Sequence, residues 1–249
     1  MRTAALIAWR DVRAFFLSPI AYVLLTVWLF VQGLTLYLLA TWYATQPGLD
    51  PTNTPLSMFF GQTSLFYLVL IFIAPVLTMR LFAEERRTGT IEPLRTAGVG
   101  DAALVAGKYA AGLIMWAALW APTLLYVWII SRYGRIDPGV VASSYVGVMG
   151  TGLYYIAIGL LMSAVTRNQI VAAVLTFLVL ALLFLGGVVE MVIDEGPTKD
   201  LFGYISLWGH MADFAKGIVD TRRLVFDGSL AALALFLCVR VVESWRHGS

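Results

Sequence analysis

The chain has 249 residues, of which 60% are hydrophobic, and a formal net charge of only +2. Its mean hydropathy of +0.82 excludes an ordinary soluble protein and predicts an all-α protein that crosses the membrane several times. The near balance of charge, without a basic patch interleaved with aromatic residues, predicts no nucleic acid partner. The single cysteine, Cys238, excludes an intrachain disulfide and a thiol-rich metal site.

The first 18 residues predict an amphipathic helix that lies on the inner membrane surface. The apolar residues that recur at helical spacing are Ala5, Trp9, Val12 and Phe16. Arg10, Asp11 and Arg13 interrupt the apolar character early, which argues against a cleavable signal peptide. A short extension of the first membrane span fits the same periodicity.

Six charge-poor apolar runs are long enough to cross about 30 Å of hydrocarbon at about 1.5 Å per residue. They are residues 19–41, 57–79, 104–130, 139–165, 168–190 and 224–245. Lys108, Asp227 and Arg240 lie near the ends of their runs, where we expect their polar groups to reach water.

The distribution of positive charge predicts the orientation of the chain. With the N-terminus inside, eleven of the seventeen Lys and Arg residues fall on the inner side. Most of the others lie in the long loop after the fifth run, where the positive-inside bias counts less. Both termini are therefore predicted to be cytoplasmic, with residues 80–98 on the same side.

Residues 80–98, RLFAEERRTGTIEPLRTAG, form a charged interruption between the second and third runs. Burying that many ions in hydrocarbon would cost several kcal/mol each, so the chain leaves the membrane here. Thr90 suits an N-cap, Glu92 and Pro93 suit a first turn, and Gly98 suits a C-terminal stop. The resulting helix of about two turns is too short to be stable alone and needs a surface to pack on. A solvated connector fits equally well.

The loop at 194–223 is too polar to span and predicts a short interfacial or re-entrant helix pair at the outer leaflet. The apolar face of this segment consists of Leu207, Trp208, Met211, Phe214, Ala215 and Ile218. In the fourth run Ser143, Gly147 and Thr151 recur every fourth residue, a stripe of small side chains that lets another helix approach closely. Packing within the chain and a seam between two copies are both open uses of the stripe.

Two of these segments resemble known sequence patterns. Residues 84–94, EERRTGTIEPL, are similar to the pattern E-x-R-x-x-G-T-x-E-x-L that follows the second span in ABC-2 type transporter permeases. Residues 210–226, HMADFAKGIVDTRRLVF, resemble the stretch before the last span in the gliding-motility-type branch of that family. Pro93 departs from the first pattern, and Arg223 and Phe226 depart from the second.

The resemblance implies a role for each segment. The first is expected to be a coupling helix that docks into a groove of a separate ATP-hydrolysing subunit. The residues expected to serve this coupling are Glu84, Glu85, Arg87, Gly89, Thr90, Ile91, Glu92, Leu94 and Arg95. The second segment is expected to close the outer end of the substrate path, with anchoring in the interface as the alternative. The residues expected to form this outer gate are Trp208, His210, Phe214 and Ile218. An elbow helix at residues 1–18 and a six-helix domain at 19–249 complete the expected fold.

ATP chemistry is expected on another chain. No G-x-x-x-x-G-K-[ST] loop occurs, because Gly107 and Lys108 are followed by Tyr109 and no glycine precedes Gly107 by five residues. With His210, His247 and one cysteine in an apolar run, neither a metal site nor a catalytic residue is predicted. ATP and Mg are therefore predicted to bind only to the partner subunit.

We therefore predict the permease subunit of an ABC exporter in a bacterial inner membrane, not itself an enzyme, with lipidic, glycan-linked or other amphipathic cargo. Its expected partners are an ABC ATPase subunit, a second permease copy or paralogue, membrane lipids and an auxiliary periplasmic protein. A non-transporting membrane scaffold with the same fold is the alternative. An ion-coupled secondary transporter is disfavoured, because the first five runs have no ionisable residue near their middle.

Overall fold

The computed structural model describes residues 2–45, 59–60, 64–90, 99–133, 136–192, 196 and 206–245. These residues form α-helices and connecting turns, with no strand among them. In chain order the helices are α1 (Arg2–Phe16), α2 (Pro19–Thr45), α3 (Ser64–Thr78), α4 (Arg80–Thr88), α5 (Asp101–Trp120), α6 (Leu124–Tyr133), α7 (Pro138–Val165), α8 (Gln169–Val192), α9 (Leu207–Phe214) and α10 (Thr221–Ser244). A single 3-10 turn, Ala121–Thr123, links α5 to α6.

Five helical segments of the described chain are long and apolar enough to cross a membrane. They are Pro19–Thr45, Asp101–Arg132, Pro138–Val165, Gln169–Val189 and Thr221–Ser244. These segments match five of the six predicted runs and confirm a polytopic α-helical membrane protein. The remaining run, 57–79, is described as α3 from Ser64 onward, and part of it lies outside the described residues. Six spans therefore stay a prediction.

Helix α7 is the centre of the bundle, since it contacts α3, α4, α5, α8, α9 and α10. Most of its residues from Ser143 to Ala164 are buried. Pro138 sits in the first turn, where its missing N–H costs no hydrogen bond. The Asp137 carboxylate caps the same turn by accepting from the Gly139 backbone N–H at 2.8 Å. A helix with neighbours on all sides has little room for lipid, so α7 is a core helix.

Helices α2 and α8 lie at the periphery and present large apolar side chains outward. Phe30 of α2 is 69% exposed and Leu182 of α8 is 68% exposed. Trp28 and Gln32, on the inner side of α2, are fully buried. Exposed apolar faces of this extent suit contact with lipid or with another membrane protein rather than with water.

Helix α1 packs closely on α5. Its buried residues are Ile7, Ala8 and Val12. The close approach depends on Gly107 of α5, because a Cβ there would lie 2.8 Å from the Ala4 carbonyl oxygen. Of the face predicted for the membrane surface, Val12 turns toward the protein, whereas Trp9 is 56% exposed. Helix α1 therefore has a protein-facing side that the periodicity did not identify.

Two charged residues that we expected to reach water are buried instead, so that prediction was wrong for both. Asp227 of α10 is 2% exposed and packs against α7, where a Cβ at Gly150 would lie 2.8 Å from Asp227 Oδ2. Lys108 of α5 is 1% exposed. Helices distant in sequence cover both side chains. Arg240 is exposed, as expected, and pairs with Glu243 at 3.0 Å.

Candidate functional site

The predicted coupling segment starts at a break between two helices. Helix α3 ends at Thr78 and α4 begins at Arg80, with Met79 between them. The buried Ser163 hydroxyl of α7 donates to the Met79 carbonyl at 3.0 Å. It also accepts from the backbone N–H groups of Phe82 at 3.0 Å and Ala83 at 3.1 Å. Because the first N–H groups of a helix lack intrahelical partners, one hydroxyl of α7 completes the start of α4.

Glu85 of α4 belongs to an ion cluster that joins three helices. The Lys108 ammonium of α5 lies 2.9 Å from Glu85 Oε2 and 3.1 Å from Asp11 Oδ2 of α1. Arg10 of α1 bonds both carboxylates, reaching Asp11 Oδ1 at 2.7 Å and Glu85 Oε1. The side chains of Asp11 and Glu85 are only 11% and 15% exposed. Two cations and two anions therefore meet where α1, α4 and α5 converge.

The two positive and two negative charges of the cluster balance each other, so that its carboxylates and Lys108 can be largely buried. Burial alone would lower the pKa of Arg10, but the hydrogen bonds and charges of Asp11 and Glu85 outweigh burial and raise it. Removing one member of a buried ion pair leaves an uncompensated charge and costs about 3–5 kcal/mol. The cluster thus fixes the relative position of its three helices, although it is weak support for overall stability.

Arg86 ties the opposite side of α4 to two further helices. Its Nη1 donates to the Ala164 carbonyl at 2.6 Å, which satisfies a free acceptor in the last turn of α7. Its guanidinium lies 4.3 Å from the centre of the Trp245 ring at the end of α10. Partial burial, together with the nearby charge of Arg167, lowers the pKa of Arg86 below its ordinary value.

The remaining described coupling residues lie at the exposed end of α4. Arg87 pairs with Glu84 at 3.1 Å, and its side chain is 64% exposed. Gly89 has a φ of +73° and ends α4 in the left-handed conformation that glycine adopts at low cost. Beyond it, the Thr90 hydroxyl lies 3.0 Å from the Thr88 hydroxyl. The chain therefore turns away from α4 directly before the predicted docking residues.

Four predicted coupling residues, Ile91, Glu92, Leu94 and Arg95, lie outside the described residues. Their docking role stays a prediction. Glu85 was expected to contact the partner subunit. In the structure its carboxylate instead contacts Lys108 and Arg10 of the same chain. The sequence analysis missed Arg10, Asp11 and Ser163 as members of this site. The only signal in the sequence was the charge of Lys108 within an apolar run, which indicates that a carboxylate must lie close to it.

The predicted outer gate centres on the packing of α9 against α7. Phe214 and Met211 are each 1% exposed. The Ser143 hydroxyl donates to the Phe214 carbonyl at 2.6 Å, and a Cβ at Gly147 would lie 2.7 Å from the Phe214 ring. The stripe of small residues on α7 thus serves packing within the chain.

The structure gives less detail on the other predicted gate residues. Trp208 and His210 lie in α9, and their side chains are outside the described part of the structure. Ile218 follows the end of α9 and is 56% exposed. Asp213 of α9 pairs with Arg223 of α10, which ties the outer helix to the start of the last span. Gating by these residues stays a prediction.

Comparison with protein families matches residues 43–212 to the ABC-2 family transporter proteins. The match covers about two thirds of the chain, and it includes the coupling segment and helices α3 to α8. A search of curated proteins gives no match. The family comprises the membrane permease component of ABC transporters rather than their ATPase, in agreement with the membrane-spanning helices found here. The chain is a multi-pass membrane protein that belongs to the ABC-2 family of transporter proteins.

Proposed function

We propose that this chain is the membrane-spanning subunit of an ATP-driven exporter, and that residues 80–98 receive the movement of a separate ATP-hydrolysing subunit. ABC-2 permeases generally work with such an ATPase subunit. In the proposed cycle, closure of the ATPase pushes on residues 90–97, the spans reorient, and the outer end opens. Export, rather than import, is part of the proposal.

The observation that carries this proposal is the way α4 is attached to the bundle. Glu85 links α4 to α1 and α5, Ser163 links it to α7, and Arg86 links it to α7 and α10. A displacement of α4 would therefore be passed to four helices, α1, α5, α7 and α10, through these contacts. A solvated connector needs no such set of buried attachments.

The coupling residues have three roles in this proposal: docking on the ATPase, transmitting its movement, and linking the docking residues to α4. Ile91 and Leu94 fill a groove of the ATPase, while Glu84, Arg87, Glu92 and Arg95 make polar contacts around it. Glu85 transmits the movement, because its carboxylate is already committed to Lys108 and Arg10. Gly89 and Thr90 form the link between the docking residues and α4.

The cargo proposed is lipidic, glycan-linked or otherwise amphipathic. Within the described bundle, Gln32, Tyr154 and Tyr155 are at most 5% exposed, so they offer little polar surface to a hydrophilic cargo. Helices α2 and α8 present apolar faces outward, which supports a second permease copy or paralogue beside lipid. An outer gate at Trp208, His210, Phe214 and Ile218, and an auxiliary periplasmic protein, belong to the same proposal.

The proposed location is a bacterial inner membrane with both termini cytoplasmic, as the distribution of Lys and Arg predicts. The closer resemblance to the gliding-motility-type branch rests on residues 210–226. The family match ends at residue 212 and so leaves this block almost untouched. No nucleotide or metal is proposed to bind to this chain.

The experiment that tests the proposal is affinity purification of the tagged chain from its native host in mild detergent, followed by mass spectrometry and an ATPase assay. Recovery of a P-loop ATPase that is lost on Leu94→Asp, with membrane insertion unchanged, is the expected result. An Arg132→Asp variant, at the far end of α6, provides a control for an added acid. Purification without any ATPase, from membranes that contain candidate ATPases, would favour the membrane scaffold instead.

A further inference from the structure

A cavity of about 260 Å³ lies beside the ion cluster, between α1, the α3–α4 junction and α5. Its lining residues include Asp11, Ser18, Leu77, Arg80, Glu84 and Met115. The wall thus combines a charged side with an apolar side. Its volume is slightly below the roughly 300–1,000 Å³ of sites that hold a drug-sized ligand, so a small polar group with a few methylenes fits it best.

Most charged side chains on the wall are paired with an opposite charge, and Arg80 is the exception among the described residues. Asp11, Glu85 and Lys108 belong to the balanced cluster. Arg80 donates to the Ser18 hydroxyl at 3.2 Å and has no carboxylate partner among the described residues. Glu84 is paired with Arg87 through Oε1, and its side chain is 36% exposed. Its second oxygen, Oε2, is buried and has no hydrogen-bond donor in the described part of the chain.

Arg80 and Glu84 are four residues apart on α4, a spacing at which opposite charges are neighbours and commonly pair. Here the two do not pair with each other, because Arg80 donates to Ser18 and Glu84 Oε1 accepts from Arg87. A buried carboxylate oxygen without a donor is costly, and a guanidinium presents donors suited to phosphate. One ligand group that carries a phosphate and an N–H donor a short distance apart would satisfy both residues.

We propose that this cavity binds the headgroup of a zwitterionic phospholipid with a primary ammonium, of the phosphatidylethanolamine type. Its phosphate lies on Arg80, its ammonium donates to Glu84, and its glycerol end and first methylenes lie against Leu77 and Met115. The acyl chains extend into the membrane. This proposal shares Glu84 with the proposed function, but it uses only Oε2 of that carboxylate. Its test requires neither an ATPase nor transport, so the two proposals can fail separately.

The position of the cavity favours a membrane lipid over a soluble phosphate ester. Arg80 directly follows the apolar helix α3, and Ser18 directly precedes the span α2, so the site lies where the chain passes from apolar to polar surroundings. Phe15, Ala111 and Met115 provide apolar contact that a free headgroup would not use. A purely anionic headgroup would satisfy Arg80 but leave Glu84 Oε2 without a donor.

The first test uses the unchanged protein. The protein is first stripped of lipid in detergent. It is then mixed with phospholipids that have identical acyl chains but different headgroups: ethanolamine, N-methylated ethanolamine, choline or glycerol. Native mass spectrometry counts the lipid molecules that stay bound. Retention is expected to fall stepwise with N-methylation, by roughly tenfold from ethanolamine to choline, since a hydrogen bond to a charged group is lost. Equal retention of ethanolamine and choline lipids would overturn the proposal. So would displacement of the lipid by an equal concentration of free phosphorylethanolamine.

The second test assigns the two contacts. Glu84→Gln is expected to abolish the preference for ethanolamine over choline, and Arg80→Gln is expected to weaken retention of both by roughly tenfold. Glu243→Gln and Arg240→Gln, in the exposed pair at the end of α10, are matched controls and should change neither value. If the Glu84 and Arg80 variants retain lipid as the controls do, the assignment is wrong. Should either variant not fold, the headgroup series on the unchanged protein still decides the proposal.

Discussion

The Lys108 ammonium lies 2.9 Å from Glu85 Oε2, and this contact joins the helix before residues 89–100 to the helix after them. One ion pair therefore holds together the two helices that flank the segment proposed to meet the ATPase. Asp11, at 3.1 Å from the same ammonium, brings in α1 as a third element. Movement of α4 would therefore be shared with α1 and α5.

Replacing Lys108 by methionine should destabilise the protein by about 3 kcal/mol or more, because two poorly exposed carboxylates lose a cation. The measurement is the free energy of unfolding in detergent micelles. Arg240→Met, which breaks the exposed pair with Glu243, should cost less than about 1 kcal/mol. Combining Lys108→Met with Glu85→Gln should recover part of the loss. Equal losses of unfolding free energy in Lys108→Met and Arg240→Met would contradict a structural role for the cluster.

Glu85→Gln should separate binding of the ATPase from its stimulation. The variant keeps Ile91 and Leu94 available for docking, so co-purification with the ATPase should persist. Stimulation of ATP hydrolysis by the permease should fall, because α4 is no longer held to Lys108 and Arg10. Leu94→Asp, in contrast, should abolish both. The proposed transmitting role of Glu85 fails if its variant loses the ATPase from the complex as Leu94→Asp does.

Ser163→Ala should destabilise the junction between α3 and α4. It removes the partner of one carbonyl and two N–H groups at a buried position, at a cost of about 1–3 kcal/mol. Hydrogen exchange should accelerate at the amides of Phe82 and Ala83. Ser229→Ala removes an exposed hydroxyl that bonds only within α10 and serves as the control. Unchanged exchange at Phe82 and Ala83 would show that the hydroxyl does not hold the junction.

Gly147→Ala should loosen the packing of α9 on α7. The added methyl group would lie 2.7 Å from the Phe214 ring, and overpacking of this kind costs about 1–3 kcal/mol. Unfolding in detergent and protease cleavage near Ile218 are the measurements. Gly228→Ala in α10 has open space around its new Cβ and should be neutral or slightly stabilising. Phe214→Leu in the Gly147→Ala background should restore protection, and failure to do so would argue against this contact as the cause.

The sequence predicted those parts of the fold that depend on local hydropathy. The run 139–165 corresponds to α7 at Pro138–Val165, and the run 168–190 corresponds to α8 at Gln169–Val192. A continuous apolar segment has to cross the membrane as a helix whatever its neighbours are, because its backbone groups must be satisfied internally. For these two helices, existence and approximate boundaries were therefore accessible from the sequence alone. The helix Arg80–Thr88 and the 3-10 turn at Ala121–Thr123 were not predicted.

The buried polar contacts were not accessible in the same way. Lys108 pairs with Asp11 and Glu85, and Ser163 bonds Phe82 from 81 residues away. Such contacts depend on which helices pack together. The periodicity within one helix does not indicate which other helix will be its neighbour. The stripe at Ser143, Gly147 and Thr151 predicted a close approach correctly but could not say which helix approaches.

The dependence of the α3–α4 junction on Ser163 also has a consequence for the order in which the chain is made. When Phe82 and Ala83 are added to the growing chain, the hydroxyl that will accept their N–H groups is still about eighty residues from synthesis. Until α7 has entered the membrane, the start of α4 has no partner for these groups from the bundle. The start of α4 therefore gains these hydrogen bonds only after the fourth predicted run is inserted. In a truncated chain that ends before α7, hydrogen exchange at Phe82 and Ala83 should be faster than in the full chain.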